Sequence, residues 1–194
     1  MKYISLILLF LLIQINTAAE EWQVKKDENN LVKFISSTPL LDFEGITNNI
    51  DGFMYWEGSN LFGAKNKVYF EVDLNMVKTG IGKRDRDMRE DVLETDKWPK
   101  SYFTGSIIEY QQIDSTTYNV IAQGSLFIHG VEKQMKIPAK IILNDGTLKV
   151  ISKFSIYLKD FNIEAPSLMA FIKVAEEIKL ELSFFLQNID LRQN

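Results

Sequence analysis

The feature that most constrains this fold is a long stretch of alternating apolar and polar residues between Tyr118 and Leu143. The apolar residues keep one parity as far as Ile128, and the alternation resumes after a turn at Gly130. Successive side chains of a strand point to opposite faces of a sheet, so this period of two predicts a β-hairpin with one apolar face. Few side chains in this stretch are chemically reactive. We therefore expect function to depend on what the apolar face encloses.

Six other segments are also predicted to be strands, because they show similar alternation between turn-forming residues. They are Leu31–Ser36, Gly45–Gly58, Lys67–Leu74, Tyr102–Tyr110, Leu148–Leu158 and Glu177–Leu186. The second of them is expected to start with a short turn or helix and then to place Phe53 and Tyr55 on one face. With Thr117–Ile128 and Val131–Leu143 from the hairpin, about eight strands result. This number predicts an all-β antiparallel barrel or sandwich.

Two segments are predicted to be short helices. Met88 and Val92 are four residues apart within Asp85–Glu94, which is the spacing of one helical face. Pro166 suits the first turn of a helix and favours a second one over Ala165–Glu176.

The N-terminal residues are typical of a signal peptide. A positive charge at Lys2 precedes the apolar run Ile4–Ile15, and small residues follow up to Ala19. We predict cleavage after Ala19, which leaves residues 20–194 as a single domain in the periplasm or outside the cell. The alternative is an uncleaved anchor, but the run is shorter than the ~20 residues that a membrane span needs. No membrane span is predicted after cleavage.

Composition excludes several functions. The formal net charge is −4 and no basic patch is present, which argues against nucleic-acid binding. The chain has no cysteine and one histidine, so it offers no thiolate chemistry and poor ligands for zinc. We predict no cofactor and no metal ion.

His129 is the only candidate for a general base. A hydrolase triad would place it beside a serine and a carboxylate. Its parity is opposite to that of Leu126 and Ile128, so we expect it to point outward or to lie at the end of the strand. The sequence favours a role in the turn.

A cluster of alternating charges lies in the first predicted helix. It consists of Arg84, Asp85, Arg86, Asp87, Arg89, Glu90 and Asp91. The acidic spacing resembles a calcium loop, but an EF-hand requires glycine at the position of Glu90. One interpretation is a solvated helical turn with local ion pairs. In the other, Arg84, Arg86 or Arg89 contacts the polar head of a ligand.

Small residues are mixed with large ones on the inward parity. They are Gly105, Ala122, Gly124, Ala139 and Ser152. An eight-stranded barrel either fills its interior with side chains or holds one small ligand, and small inward residues leave volume. Glycines also permit a curved sheet to bend without forming a cavity. The sequence does not decide between these interpretations.

Short motifs along most of the chain resemble the YceI-like family of exported, lipocalin-like barrels. They are Trp22-Gln23-Val24, Leu31-Val32-Lys33-Phe34, Asp51-Gly52-Phe53 with Gly58, Arg84–Arg89, Trp98-Pro99 before Tyr102–Gly105, Gly124–Lys133, and Phe154-Ser155-Ile156 with the final strand. The order and spacing of the motifs carry the resemblance, and Gly124–Lys133 is the most specific of them. The chain departs from the family at Glu28-Asn29-Asn30 near the first strand and at Trp98.

The resemblance implies an extended antiparallel eight-stranded barrel, with one or two short helices, around an apolar channel. It also implies binding of a long-chain amphiphile such as a polyisoprenoid, an isoprenoid quinone or a fatty-acid-like lipid. The predicted cavity-lining residues are Phe34, Phe53, Val68, Phe70, Val72, Met88, Phe103, Ile107, Val120, Leu126, Met135, Ile137, Phe154, Ile156, Ile178, Leu180 and Leu182. Area burial, at roughly 25 cal/mol per Å², would hold such a chain without a specific polar contact.

Our main hypothesis is therefore a non-enzymatic lipid carrier or store. One alternative is a lipid-acting hydrolase that uses His129. The other is a scaffold protein with a packed barrel, whose outward Ile108, Tyr110 and Phe185 contact a partner or a second copy in a homodimer.

Overall fold

The structure is a computed structural model that describes residues 19–58, 61–63, 65–169 and 172–189. The predicted signal peptide lies outside the described residues, apart from Ala19, which is the first residue of a strand. The strands are β1 Ala19–Val24, β2 Leu31–Ser37, β3 Asp42–Thr47, β4 Ile50–Glu57, β5 Asn66–Asp73, β6 Lys100–Gln112, β7 Thr117–Ile128, β8 Val131–Asn144, β9 Thr147–Tyr157, β10 Ser167–Met169, β11 Ile172–Lys173 and β12 Glu177–Asn188. The helical segments are α1 Gly82–Asp87, a π-helical turn Met88–Val92, and 3₁₀ turns Leu74–Met76 and Leu158–Phe161.

Eight antiparallel strands form a closed ring, which confirms the predicted barrel. The order around the ring is β1, β4, β5, β6, β7, β8, β9 and β12. The first strand closes it, because Trp22 pairs with Met54 of β4 on one side and with Asn188 of β12 on the other. The edge of β12 that pairs with β1 near Asn188 continues past the end of β1. There it pairs with β2, which in turn pairs with β3. The sequence had not predicted β1 or a separate β3.

One end of the barrel is filled by aromatic side chains, which we call the aromatic plug: Trp22, Trp56, Phe62 and Tyr118. Trp56 is only 1% exposed and stacks on Trp22 at 6.1 Å between ring centroids. The Phe62 ring packs edge-to-face with the rings of Trp56 and Tyr118, and the ring centroids are 5.8 Å apart in both pairs. Such pairs bury large apolar areas in a fixed geometry, so this end of the barrel is closed.

Only one of the two predicted helices forms. The prediction over Asp85–Glu94 is confirmed by α1 and the π-helical turn that continues it. The prediction over Ala165–Glu176 is wrong, because this segment contains the small hairpin of β10 and β11. The backbone N–H of Val174 donates to the carbonyl of Pro166 at 3.0 Å, across the hairpin and not along a helix.

The two faces of β4 are the reverse of the prediction. Met54 and Trp56 are buried inside the barrel, whereas Phe53 lies on the outer face. Both parities of this strand carry large apolar residues, so alternation alone could not assign the inner face. Phe53 instead begins an external row of rings that crosses neighbouring strands. It stacks on Tyr69 at 6.0 Å, and Tyr69 stacks on Tyr102 at 6.0 Å.

The ring of Tyr69 gives a test of this outer face by pH titration. Burial, together with the hydrogen bond from its hydroxyl to Glu71 and the charge of that carboxylate, raises the pKa of Tyr69 from 10.0 to about 12. A raised pKa in the folded state stabilises the fold fully below the unfolded pKa, near 10. This stabilisation is lost as the pH rises through about 12. In an ultraviolet titration of phenolate, Tyr69→Phe should remove the step at highest pH, and Glu71→Gln should move that step to lower pH. Loss of a step near pH 10 in Tyr69→Phe would contradict the assignment.

Candidate functional site

A cavity of about 580 Å³ runs inside the barrel above the aromatic plug. This volume lies in the ~300–1,000 Å³ range of small-molecule sites. Its wall is almost wholly apolar and is formed mainly by inward side chains of β2, β4–β9 and β12. Phe70 and Phe184 meet across the barrel with ring centroids 4.8 Å apart.

Most predicted lining residues do line this cavity. They are Phe34, Val68, Phe70, Val72, Met88, Phe103, Ile107, Val120, Leu126, Ile137, Phe154, Ile156, Ile178, Leu180 and Leu182. Two do not: Phe53 lies on the outer face, and Met135 is half-buried against the core without lining the cavity. Met135 belongs to the part of β8 that no longer pairs with β9, whose ladder with β8 starts at Ala139 and Ser152. An inward position in a strand therefore does not show whether a side chain lines the cavity or packs within the core.

Several lining residues were not predicted. Phe184 lies within the predicted strand Glu177–Leu186 and shares its inward parity, so the alternation already pointed to it, although it was not among the predicted lining residues. Phe43 belongs to β3, which was not predicted as a strand. Ile81 and Val174 lie in connecting segments, where no periodicity points to the cavity.

The small inward residues divide into two groups. Ala122, Ala139 and Ser152 line the cavity and leave part of its volume. Gly105 and Gly124 face each other in the ladder of β6 and β7 and are not lining residues. An added Cβ at Gly124 would lie 2.1 Å from the Thr104 carbonyl oxygen, so these glycines serve a close approach of two strands. The alanines and the serine therefore contribute cavity volume, whereas the two glycines serve the geometry of the sheet.

The cavity opens at the end opposite the plug, at a mouth formed by Ser36, Phe43, Thr79, Ile81, Lys83, Arg84, Pro166, Ser167 and Val174. Three polar residues beside this mouth, Thr79, Arg84 and Asp85, are hydrogen-bonded to each other. Arg84 donates from Nε to Thr79 Oγ1 at 2.8 Å and from Nη2 to the Thr79 carbonyl at 2.7 Å. The Thr79 N–H donates to Asp85 Oδ1 at 2.7 Å. This network fixes α1 beside the opening.

The carboxylate of Asp85 is charged within this network. Burial by itself would raise its pKa, but hydrogen bonds from Thr79 and the charges of Arg89 and Arg84 outweigh burial and lower the pKa below 3.8. The mouth therefore holds one buried anion with cationic partners.

Only one of the three predicted head-group arginines lines the cavity. The guanidinium carbon of Arg84 lies 4.9 Å from the centroid of the Phe43 ring, and Arg84 keeps N–H groups beyond the two that Thr79 uses. Arg86 is exposed, and neither Arg86 nor Arg89 is among the lining residues, so Arg84 is the only one of the three that the structure places at the cavity. Lys83 lines the mouth instead and forms an ion pair with Asp87.

His129 lies outside the cavity lining. Its backbone has a φ of 50°, in the left-handed region, at the turn between β7 and β8. Its ring nitrogens lie 3.2 Å from the Phe161 carbonyl oxygen and 3.0 Å from Glu94 Oε2. The side chain thus connects the turn to the segments that follow α1 and β9, which is the structural position that the sequence favoured.

The remaining surface features are dispersed. Ile108 and Tyr110 are exposed on β6, while Phe185 is half-buried with Lys149 Nζ 5.3 Å from its ring. Among the residues that the structure describes, no three His, Asp or Glu side chains are grouped to hold a metal ion. The described helices are all too short or too polar to cross a membrane.

Comparison with known proteins adds to this geometry. The YceI-like domain family matches residues 22–186. The crystal structure of BcnA from Burkholderia cenocepacia has a TM-score of 0.68 at 16% sequence identity, over 84% of this chain and 98% of that one. A structure described as a polyisoprenoid binding domain from Saccharophagus degradans, implicated in plant cell wall breakdown, has a TM-score of 0.67 at 17% identity, over 89% of this chain and 99% of that one.

No curated protein shows significant sequence similarity to the chain. The two structures share its barrel along almost their full length, and at this identity they establish the fold alone. The family match covers the barrel from β1 to β12. The chain therefore belongs to the YceI-like family.

Proposed function

We propose that this protein binds a long-chain lipid, such as a polyisoprenoid, an isoprenoid quinone or a fatty-acid-like amphiphile, without catalysis. The observation that carries the proposal is the apolar cavity, closed at one end by the aromatic plug and open at the other. A tail inside it would be removed from water along its length. The protein would then carry or store a molecule that is insoluble alone.

The distribution of polar groups supports an amphiphile over a purely apolar ligand. Lys83, Arg84 and Thr79 are found at the mouth, whereas the deeper wall consists almost wholly of aliphatic and phenylalanine side chains. Tail burial contributes roughly 25 cal/mol per Å² of apolar surface, so affinity comes from the wall. A charged or hydroxylated head at the mouth would add charge-assisted hydrogen bonds. One structural relative is itself described as a polyisoprenoid binding domain.

Hydrolysis is less well supported. His129 is engaged with Glu94 and with a backbone carbonyl, and it does not line the cavity. A general base must come within hydrogen-bond reach of the proton that it abstracts. A lipid in this cavity would not meet the only histidine of the chain.

Native mass spectrometry of the protein purified from its own host tests the proposal. We expect a complex heavier than the chain by one lipid, and we expect chloroform extraction to release that lipid. The mass of the chain should correspond to residues 20–194, since we propose export with removal of residues 1–19. Delipidated protein should rebind the extracted lipid in a one-to-one complex. If the protein carries no lipid and the delipidated protein rebinds none, the proposal is wrong.

A further inference from the structure

Large aliphatic side chains are exposed beside the mouth of the cavity. Leu40 is 73% exposed, Leu41 is 54% exposed and Ile81 is 54% exposed. We call these three residues the apolar rim. Burying each such side chain would contribute about 1.5–3 kcal/mol, so their exposure to water is unfavourable for the barrel alone.

The backbone holds the apolar rim close to the opening. Leu40 and Leu41 form the turn between β2 and β3, and the Leu41 carbonyl accepts hydrogen bonds from the N–H and the hydroxyl of Thr38 at 2.9 and 3.0 Å. The flanking residues Ser36 and Phe43 line the cavity. The other part of the rim, Ile81, itself lines the cavity at the start of α1. The rim therefore borders the cavity wall, at Phe43 on one side and at Ile81 on the other.

We propose that the apolar rim docks on a phospholipid bilayer, so that the tail of the ligand passes between bilayer and cavity without crossing water. This inference rests on the proposed function, because the substance that leaves the mouth is a lipid. A bilayer surface matches a rim that surrounds an opening and consists of aliphatic tips. The rim would insert only to the depth of its side chains, as interfacial segments do.

Charge favours apolar insertion over attraction to anionic lipids. The exposed Lys83 of the mouth is paired with Asp87, and Arg84 is held by Thr79. The chain as a whole carries a formal net charge of −4. Binding to vesicles of neutral phosphatidylcholine should therefore change by less than about twofold between low and physiological salt, since counterion screening acts on charge and not on apolar burial.

Vesicle flotation with the complete protein tests the proposal. The Leu40→Ser/Leu41→Ser double variant and Ile81→Ser should each bind phosphatidylcholine vesicles at least about tenfold more weakly than the unchanged protein. Ile113→Ser is the matched control, because Ile113 is 52% exposed at the β6–β7 turn, at the opposite end of the barrel. That variant should float like the unchanged protein.

Because the chain has no cysteine, single labels give a second readout. An environment-sensitive fluorophore on Leu40→Cys should shift to the blue and be quenched by nitroxide lipids, whereas the same label on Ile113→Cys should not respond. Equal binding by the rim variants and the control would overturn the proposal. Absence of vesicle binding by the unchanged protein would also overturn it, and cross-linking would then show whether a second copy or another protein covers the rim.

The proposed function is tested separately in the same proteins. The Leu40→Ser/Leu41→Ser variant changes no cavity-lining residue, so it should still bind a detergent-dispersed lipid with unchanged affinity. It should take the lipid up from vesicles about tenfold more slowly. Vesicle docking without any lipid uptake would leave the rim as a membrane contact and refute the lipid-binding proposal. Uptake from vesicles at equal rates by all variants would refute the docking proposal alone.

Discussion

Gly124→Ala should destabilise the barrel by about 3 kcal/mol or more, a large part of the ~5–15 kcal/mol that stabilises a typical domain. The new Cβ would lie 2.1 Å from the Thr104 carbonyl oxygen and 2.6 Å from the Gly105 Cα. Both atoms belong to the backbone of β6, so they cannot move as a flexible side chain would. The strands would have to separate, weakening one of the longest ladders of the barrel. Equilibrium unfolding in urea measures the effect.

A matched glycine substitution separates this collision from the general effect of adding a methyl group. Gly82 is the first residue of α1, and no neighbouring atom lies within 4 Å of an added Cβ. Gly82→Ala should be neutral or stabilising by up to about 1 kcal/mol, because alanine favours helix over glycine. Gly105→Ala should resemble Gly124→Ala, since its Cβ would lie 2.3 Å from the Gln123 carbonyl oxygen. Equal midpoints for Gly124→Ala and Gly82→Ala would show that the strands do not approach this closely.

Alternation in the sequence predicted much of the barrel, because most strands are apolar on one face only. The hairpin of β7 and β8 follows the expected pairing from Thr117 with Ile142 to Ile128 with Val131. The pattern failed for β4, where Phe53 and Met54 are both large and apolar, and the outer ring stack could not be foreseen. It also missed β1, whose role in closing the ring depends on contacts with β4 and β12, far away in the sequence.

The cavity was predicted in part for the same reason. Inward parity gives a list of candidate wall residues, but whether they enclose space depends on how the strands are arranged in three dimensions. The position of Met135 beside packed core shows this. The mouth was least predictable, because the hydrogen bonds among Thr79, Arg84 and Asp85 join a connecting segment to a helix of only six residues. Charge spacing alone could not distinguish Arg84 from Arg86.

The small cavity-lining residues give the second large expected effect. Ala122→Phe and Ala139→Phe should each weaken lipid binding by at least about tenfold, and the double variant by at least about a hundredfold, because the rings occupy space that the tail needs. Each added ring also enters an open cavity, not a packed core. The free energy of unfolding should therefore change by less than about 1.5 kcal/mol, in contrast to overpacking of a filled interior.

A ring placed on the outside of the same strand is the control for these variants. Gln123 is exposed on β7 next to Ala122, so Gln123→Phe adds the same group without entering the cavity and should leave lipid affinity unchanged. Fluorescence titration with a polyene-labelled lipid measures affinity, and urea unfolding measures stability. The two measurements together separate the possibilities. In a filled barrel, Ala122→Phe would lower the free energy of unfolding by several kcal/mol and would leave lipid affinity unchanged. In a lipid-binding cavity, the same variant weakens lipid binding and changes the free energy of unfolding little, because the ring competes with the ligand and not with the core.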